Sequence, residues 1–261
     1  MNDLSEKYHE MQLKEIAGYW NDHIHDLTVA KHEVGTIGFF DDLDSYRYEK
    51  LSYLPKVVNF EKYAVKNVLE VGCGTGIDAV HFARAGAILT GIDLAQTSID
   101  LARKNFELRG LKGQFKVMNG EALQFDNDSF DLVYAHGVIQ YTANAQMMID
   151  ELYRVVRSDG LVILMVYNRI SWLNLLSKVM KVELEHEDAP VLNKYSIKQL
   201  KVMLSKFDSV KIVPERFPVK SRLHKGIKAA LYNGVFVPFF KIVPKPLVRP
   251  YGWHIMAFAS K

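Results

Sequence analysis

Short runs dominated by Val, Leu and Ile recur along the chain, separated by longer segments whose apolar positions return at helical spacing. The runs predict strands near 67–71, 87–92, 114–118, 130–134 and 160–167, and the segments between them predict helices near 75–85, 96–109 and 145–156. Strands and helices alternating in this way make a parallel, doubly wound α/β sheet. The runs are continuously apolar rather than alternating, as expected where helices cover both faces of a sheet. A helix over 196–206 and strands near 209–213 and 254–259 complete seven strands. Three segments remain outside this core: 1–64, 168–195 and 214–252. Ligands of open α/β sheets lie beyond the carboxyl ends of the strands, so substrate choice is expected to live in these additions.

The most telling break in the pattern follows the first strand. Val68-Leu69-Glu70-Val71 runs into Gly72-Cys73-Gly74-Thr75-Gly76, and 17 residues past Gly76 a second apolar run ends in Gly91-Ile92-Asp93-Leu94. Alternate glycines let the backbone turn tightly and approach a ligand where a Cβ would collide, and a carboxylate at the end of the next strand can accept both hydroxyls of a ribose. The pair points to a nucleotide-like cofactor. A dinucleotide fold would show G-x-G-x-x-G, whereas the spacing here is G-x-G-x-G, with no pyrophosphate cradle spelled out.

From this loop onward, for about a hundred residues, the chain resembles the class I S-adenosylmethionine (SAM) dependent methyltransferases. After Asp93 comes a helix, Gln96 to Arg109, then Gln114-Phe115-Lys116-Val117-Met118 followed by Asn119-Gly120-Glu121-Ala122-Leu123, where the family usually carries Asp-Ala. Ser129-Phe130-Asp131-Leu132-Val133-Tyr134-Ala135-His136-Gly137-Val138-Ile139 resembles the family's fourth strand and the loop after it. Glu151 to Gly160 resembles the helix and turn before strand five, with Ser158-Asp159 in place of the usual Pro-Gly. The resemblance implies a Rossmann-like methyltransferase fold, seven-stranded and mostly parallel with an antiparallel last strand. It also implies an N-terminal helical cap over 1–64 and a SAM-binding domain over 65–261 whose additions at 168–195 and 214–252 form a lid over the acceptor.

The implied reaction is in-line displacement of the SAM methyl group by an O or N atom, or a carboxylate, of a small-molecule acceptor such as a secondary metabolite or lipid-like compound. On that reading Glu70, Gly72, Gly74 and Gly76 line the methionine and ribose side, Asp93 takes the ribose hydroxyls and Leu94 packs on adenine. Asn119 accepts from the adenine amine and the amide of Gly120 or Glu121 donates to a ring nitrogen. Arg47, in a segment that folds over the cofactor in many relatives, can pair bidentately with the SAM carboxylate, or it is a surface residue of a helix. His136 follows strand four, where the fold points residues at the methyl, and is the candidate general base; the alternative is that it only packs against the cofactor. Tyr134, Gln140 and Tyr141 are candidates to orient the acceptor, or to serve as wall.

The chain has 261 residues, 49% of them hydrophobic, enough for one core of this kind with additions. No uninterrupted apolar segment reaches the ~20 residues of a membrane span, and the charged N-terminus lacks the apolar stretch of a secretion signal, so a cytoplasmic protein is expected. The lone cysteine, Cys73, reads as a small residue tolerated in the glycine loop. Glu185-His186-Glu187-Asp188 has metal-ligand chemistry, but neighbouring side chains point in different directions and a metal-independent enzyme is expected. Net charge is +3 overall, yet residues 201–261 hold 12 Lys and Arg against 2 Asp and Glu, +10, leaving −7 for the rest. Arg216, Lys220, Arg222, His224, Lys225 and Lys228 cluster beside the apolar run from Leu231 to Phe240. Three readings stay open for this segment: a solvated basic face, a rim holding an anionic acceptor, or contact with an acidic membrane surface. Nucleic acid is not expected as a partner, because the charge is confined to one end. A noncatalytic SAM-binding regulator or scaffold is the alternative to the enzyme.

Overall fold

The computed structural model describes residues 3–181, 184, 186–220 and 226–261. Glu185 and the basic residues Arg222, His224 and Lys225 lie outside the described residues. Seven strands form one sheet in the order β3-β2-β1-β4-β5-β7-β6. They are β1 (Asn67–Val71), β2 (Ile88–Asp93), β3 (Gln114–Val117), β4 (Phe130–His136), β5 (Val156–Tyr167), β6 (Ser209–Glu215) and β7 (His254–Ser260). β3, β2, β1, β4 and β5 run parallel, and β7 is antiparallel to both β5 and β6. The doubly wound, mostly parallel sheet expected from the strand and helix pattern is therefore the fold. β5 begins earlier than the apolar run suggested: Phe130 pairs with Val156, the register shifts, and Leu132 pairs with Leu161. The stretch around Ser158-Asp159 is thus a bulge within the strand rather than a turn before it.

The sheet is apolar on both faces. Val68, Leu132 and Tyr134 face one side, with Phe82, Leu89 and Phe106, while Leu69, Val71, Val133 and Ala135 face the other, with Ile149 and Leu152. Ahead of β1 stand α1 (Asp3–Asp22), α2 (Ile37–Lys50) and the short α3 (Leu54–Val58). Thr36 caps α2 by accepting from Phe39 N, and the buried faces of Phe39, Phe40 and Leu43 form a small satellite core with Ile77. The core helices are α4 (Ile77–Arg84), α5 (Gln96–Arg109) and α6 (Ala145–Val155), followed by α7 (Trp172–Met180) and α8 (Ile197–Met203). α8 starts with a capping box between Ser196 and Gln199.

Between β6 and β7, α9 (Ile227–Leu231), a π-helical turn (Tyr232–Phe236) and α10 (Val237–Ile242) follow one another. Tyr232, Phe236 and Phe240 gather around Trp172 of α7, while Ile227, Leu231, Val235, Phe239 and Ile242 are exposed. This segment is therefore apolar on both sides rather than only on the side packed inward. Among the described residues no helix is long and apolar enough to cross a membrane.

Candidate active site

At the carboxyl end of β1 the chain turns at Gly72, whose φ of +69° suits glycine. Gly72 and Cys73 both donate to Ile92 O, at 2.8 and 3.0 Å, and Gly74 N donates to Asp93 Oδ2 at 2.9 Å, so the loop is tied to the end of β2. A Cβ on Gly72 would stand 2.7 Å from Val138, whereas at Gly74 a Cβ would meet nothing within 4 Å. Gly74 opens onto a pocket lined also by Glu70, Gly72, Asp93, Leu94, Met118, Asn119 and Gly120. Gly76 does not share it. A Cβ there would lie 3.2 Å from Ala102 Cβ, so the third glycine lets α4 approach α5 instead of a ligand.

Three features of this end fit the family's cofactor. The Glu70 carboxylate is buried and, among the described residues, its Oε2 has no hydrogen-bond partner. Burial, then the neighbouring Asp78 carboxylate, push Glu70 well above the usual carboxylate range, and a bound ammonium would relieve that. Asp93 accepts one backbone N–H on each oxygen, from Gly74 and from Ala95, which leaves each oxygen a lone pair for a hydroxyl. The open cradle at Gly74 is the third. Asn119 and Gly120 line the pocket as expected, but Glu121 does not. Its amide is taken by Asn119 Oδ1 at 2.9 Å; its buried Oε1 accepts from Thr142 Oγ1 and from Asn144 N at 2.9 Å, and His9 Nε2 stands 2.9 Å from Oε2 at ion-pair distance. Glu121 fastens α1 and the loop before α6 rather than reading adenine.

The other end of the pocket is built around Asp78, in the first turn of α4. Arg47 Nε donates to Asp78 Oδ1 at 2.6 Å and Nη2 donates to Oδ2; Tyr48 and Tyr134 add hydrogen bonds of 2.9 and 2.8 Å. Burial opposes the charge on Asp78, but Arg47 overrides it and holds the carboxyl below the usual range. The expected bidentate grip of Arg47 is thus present, with Asp78 as its partner in place of the cofactor's carboxylate. Tyr134 is also corrected: it is fully buried, its hydroxyl points at Asp78, and it does not line the pocket. Gln140 is likewise fully buried and off the pocket wall, while Tyr141 lines the pocket edge-to-face with Trp20, ring centroids 5.0 Å apart.

His136 lies at the end of β4 on the pocket wall, as expected, but its nitrogens are occupied. Arg47 Nη2 stands 3.2 Å from Nδ1, and Tyr53 Oη stands 3.4 Å from Nε2. A guanidinium can only donate, so Nδ1 is the bare nitrogen and Nε2 carries the proton. Burial, then Arg47, lower the His136 pKa to about 3. The lone pair a general base would use therefore faces a cation, and the base role does not hold in this arrangement. His254 mirrors it: Arg216 Nη1 is 3.0 Å from Nε2, and Nδ1 is 2.6 Å from Tyr53 Oη. One chain of contacts runs from Arg47 through His136, Tyr53 and His254 to Arg216.

α1 covers the pocket with Leu13, Ile16 and Trp20, and Asn21 Oδ1 accepts from Thr97 N at 3.0 Å, tying α1 to α5. Near its end, Tyr19 donates to Asp188 at 2.8 Å and His186 Nε2 meets His25 Nδ1 at 2.9 Å. His186 thus packs against α1 and its following turn. Among the described residues no group of three or more His, Cys, Asp or Glu is placed to hold a metal ion. Burial pushes the Cys73 thiol well above its ordinary pKa, in keeping with an inert packing role.

Asp78 and Tyr53 carried no signal of their own: an acid in a first helical turn and an aromatic before a short helix are both commonplace. Arg216 is visible in the sequence only as part of a basic cluster, and His254 as part of the terminal Gly252-Trp253-His254 at the start of the last strand.

Residues 69–164 match the family model of the methyltransferase domain. Over this stretch, from β1 into β5, the chain is similar to the methyltransferase domain of the class I SAM-dependent enzymes. Among curated relatives, the ubiquinone biosynthesis O-methyltransferase of Bartonella tribocorum is 26% identical over 141 residues, covering 51% of this chain and 57% of that one. The enzyme of the same name from Coxiella burnetii is 28% identical over 120 residues, covering 46% and 50%. The chain spans about half the length of the curated relatives it matches. Among solved structures, magnesium protoporphyrin IX methyltransferase from Synechocystis PCC 6803 with bound S-adenosylhomocysteine (SAH) aligns with a TM-score of 0.60 at 14% identity, over 95% and 99% of the two chains. A SAM-dependent methyltransferase from Aquifex aeolicus aligns at 0.54 with 13% identity, over 86% and 97%. These two likenesses speak for the methyltransferase fold.

Proposed function

We propose that the protein transfers a methyl group from SAM to an oxygen or nitrogen atom, or a carboxylate, of a small-molecule acceptor, of the secondary-metabolite or lipid-like kind. The observation that carries this reading is the pairing of an orphaned, buried Glu70 oxygen with the open cradle at Gly74 and the spare lone pairs of Asp93. SAM supplies an electrophilic methyl group borne on a sulfonium. Glu70 holds the ammonium of its methionine part, Gly72 and Gly74 admit the chain, and Asp93 accepts from the ribose hydroxyls. Leu94 and Met118 flank the adenine, with Asn119 and the Gly120 amide at its edge. Residues 1–64 act as the cap and the additions at 168–195 and 214–252 as the acceptor lid over the domain spanning 65–261. Leu13, Ile16 and Trp20 keep water out, so alignment of acceptor and methyl can supply most of the acceleration. Tyr141 forms the wall against which the acceptor is oriented. Arg47 and Tyr53 hold His136 neutral and fixed in one tautomer, which makes it a positioning residue rather than the base. The reading includes a cytoplasmic setting, where the single thiol stays reduced.

The experiment is thermal unfolding with saturating SAM, SAH or NAD, since a ligand at ~100 times its dissociation constant stabilises the native state by ~2.7 kcal/mol. A rise with SAM and SAH but not NAD, followed by labelled-methyl incorporation into a cell-extract component, is the expected result. A rise without any incorporation would favour a noncatalytic SAM-binding scaffold.

A further inference from the structure

Three cationic side chains line the pocket, and two are neutralised within the protein: Arg47 by Asp78, and Lys50 by Asp26 at 3.0 Å. Arg216 is different. Among the described residues no carboxylate lies within ion-pair distance of it, and its side-chain contact is the bare Nε2 of His254 at 3.0 Å. A guanidinium on a concave wall, facing an uncharged ring, is poised to receive an anion.

Its backbone is also held in an uncommon state. Arg216 has φ +58°, a left-handed conformation that side-chain-bearing residues avoid, just after β6 ends at Glu215. Trp172 Nε1 and Trp253 N both donate to its carbonyl, at 2.9 and 3.3 Å, and Gly252 sits so close that a Cβ would be 2.5 Å from Glu215 O. Three contacts over-determine a strained residue at the pocket wall, as found where strain serves a site.

We propose that Arg216, backed by His254, anchors an anionic oxygen of the acceptor, so that the acceptor is a small molecule carrying a carboxylate or an ionised acidic hydroxyl. This rests on the methyltransferase reading above and names its substrate class. The sheet order separates the two tasks: the glycine loop and Asp93 belong to β1 and β2, while Arg216 and His254 belong to the β6–β7 end, beyond β4 and β5. The chemistry agrees. Of the histidines lining the pocket, His136 and His254 stand at this end, and both have their lone pairs turned to guanidiniums; an acceptor that arrives ionised needs neither as a base. Tyr141, Met165 and Tyr167 give the body of such a molecule an apolar and aromatic wall.

The test uses benzoate and benzamide, equal in shape but not in charge, binding to SAH-saturated protein and followed by ligand-observed NMR. Wild type should bind benzoate at least tenfold more tightly than benzamide. Arg216→Asn, whose asparagine tolerates the left-handed backbone, should abolish that preference, and Arg216→Lys should keep part of it, with SAH affinity within twofold in all three proteins. No preference in wild type, a preference that survives in Arg216→Asn, or a tenfold loss of SAH affinity in that variant would each overturn the proposal. The last result would make Arg216 a cofactor residue. Failure of wild type to bind SAH at all would count against the methyltransferase reading instead.

Discussion

The two ends of the pocket are assembled in opposite ways. At the end proposed for the cofactor Glu70, Gly72, Gly74 and Asp93 lie within 24 residues, and the contacts that shape it are backbone N–H groups donating to Ile92 O and to the Asp93 carboxylate. At the end proposed for the acceptor, Arg47, Tyr53, His136, Arg216 and His254 come from α2, the turn after it, β4, the residue after β6 and β7, and the Tyr53–His254 contact joins residues 201 apart. The first end is made of main chain and tolerates few residue types, because glycine φ values and close approaches set it. The second is made of side chains whose charges must balance in a buried setting, and it stands only if every member is present.

The sharpest way to break this contrast is to remove Asp78. It is 2% exposed and takes four hydrogen bonds from Arg47, Tyr48 and Tyr134. Asp78→Ala leaves the Arg47 charge buried and unpaired and should destabilise the protein by about 3–5 kcal/mol, read as a shift of the urea midpoint. The double variant Arg47→Met/Asp78→Leu should recover most of that loss. A single-variant effect below about 1 kcal/mol would show that the pair does not organise this end.

Asp93→Ala tests the other end. It should weaken SAM binding at least tenfold, about 1.4 kcal/mol, measured by titration calorimetry. Part of the loss should come from the loop itself, since Gly74 N and Ala95 N lose their acceptor together. Unchanged affinity would remove the ribose from Asp93.

These two residues also mark what could be read from the chain before folding. The position of Asp93 is legible because it is local: an acid at the end of a strand, one strand after a glycine turn, can be placed by period and spacing alone. The central strands β1, β4 and the second half of β5 were legible for the same reason, their short runs being continuously apolar. Asp78 was not, because its function lies in partners 30, 31 and 56 residues away, and nothing in its neighbourhood says that Tyr48, Arg47 and Tyr134 converge on it. The bidentate fork of Arg47 is legible but its Asp78 partner is not, since a fork states its geometry and not which anion fills it. His136 was placed correctly in space, while its chemistry depended on two arginines and a tyrosine distributed over 170 residues.

A pH series separates the two ends, because the buried imidazoles of lowered pKa among the described residues, His136 and His254, lie at the end proposed for the acceptor. Burial and Arg47 lower the His136 pKa from 6.5 to about 3, so between these values the unfolded chain binds a proton that the folded one refuses. The stability present above pH 6.5 is therefore lost as pH falls toward 3, by about 2 kcal/mol at pH 5 for this one group. Burial, then Arg216, lower His254 as well, so its contribution has the same sign. Urea unfolding at pH 7.5 and pH 5.0 should show a loss in wild type that is about 2 kcal/mol smaller in His136→Asn. Equal losses in both proteins would mean that His136 titrates normally and is free to act as a base.

The smallest effect belongs to α1, which spans both ends. Its His9 reaches Glu121 at 2.9 Å, but Thr142 and Asn144 also hold that carboxylate, so His9→Ala removes one partner of three. Stability should fall by no more than about 1 kcal/mol, since the histidine is partly open to solvent. SAM affinity should change less than about threefold, below 1 kcal/mol, because the cofactor contacts proposed here all lie on strand ends beneath the helix. A tenfold loss would move the hold on the cofactor from the strand ends to α1, and the division of the pocket into a main-chain end and a side-chain end would no longer describe it.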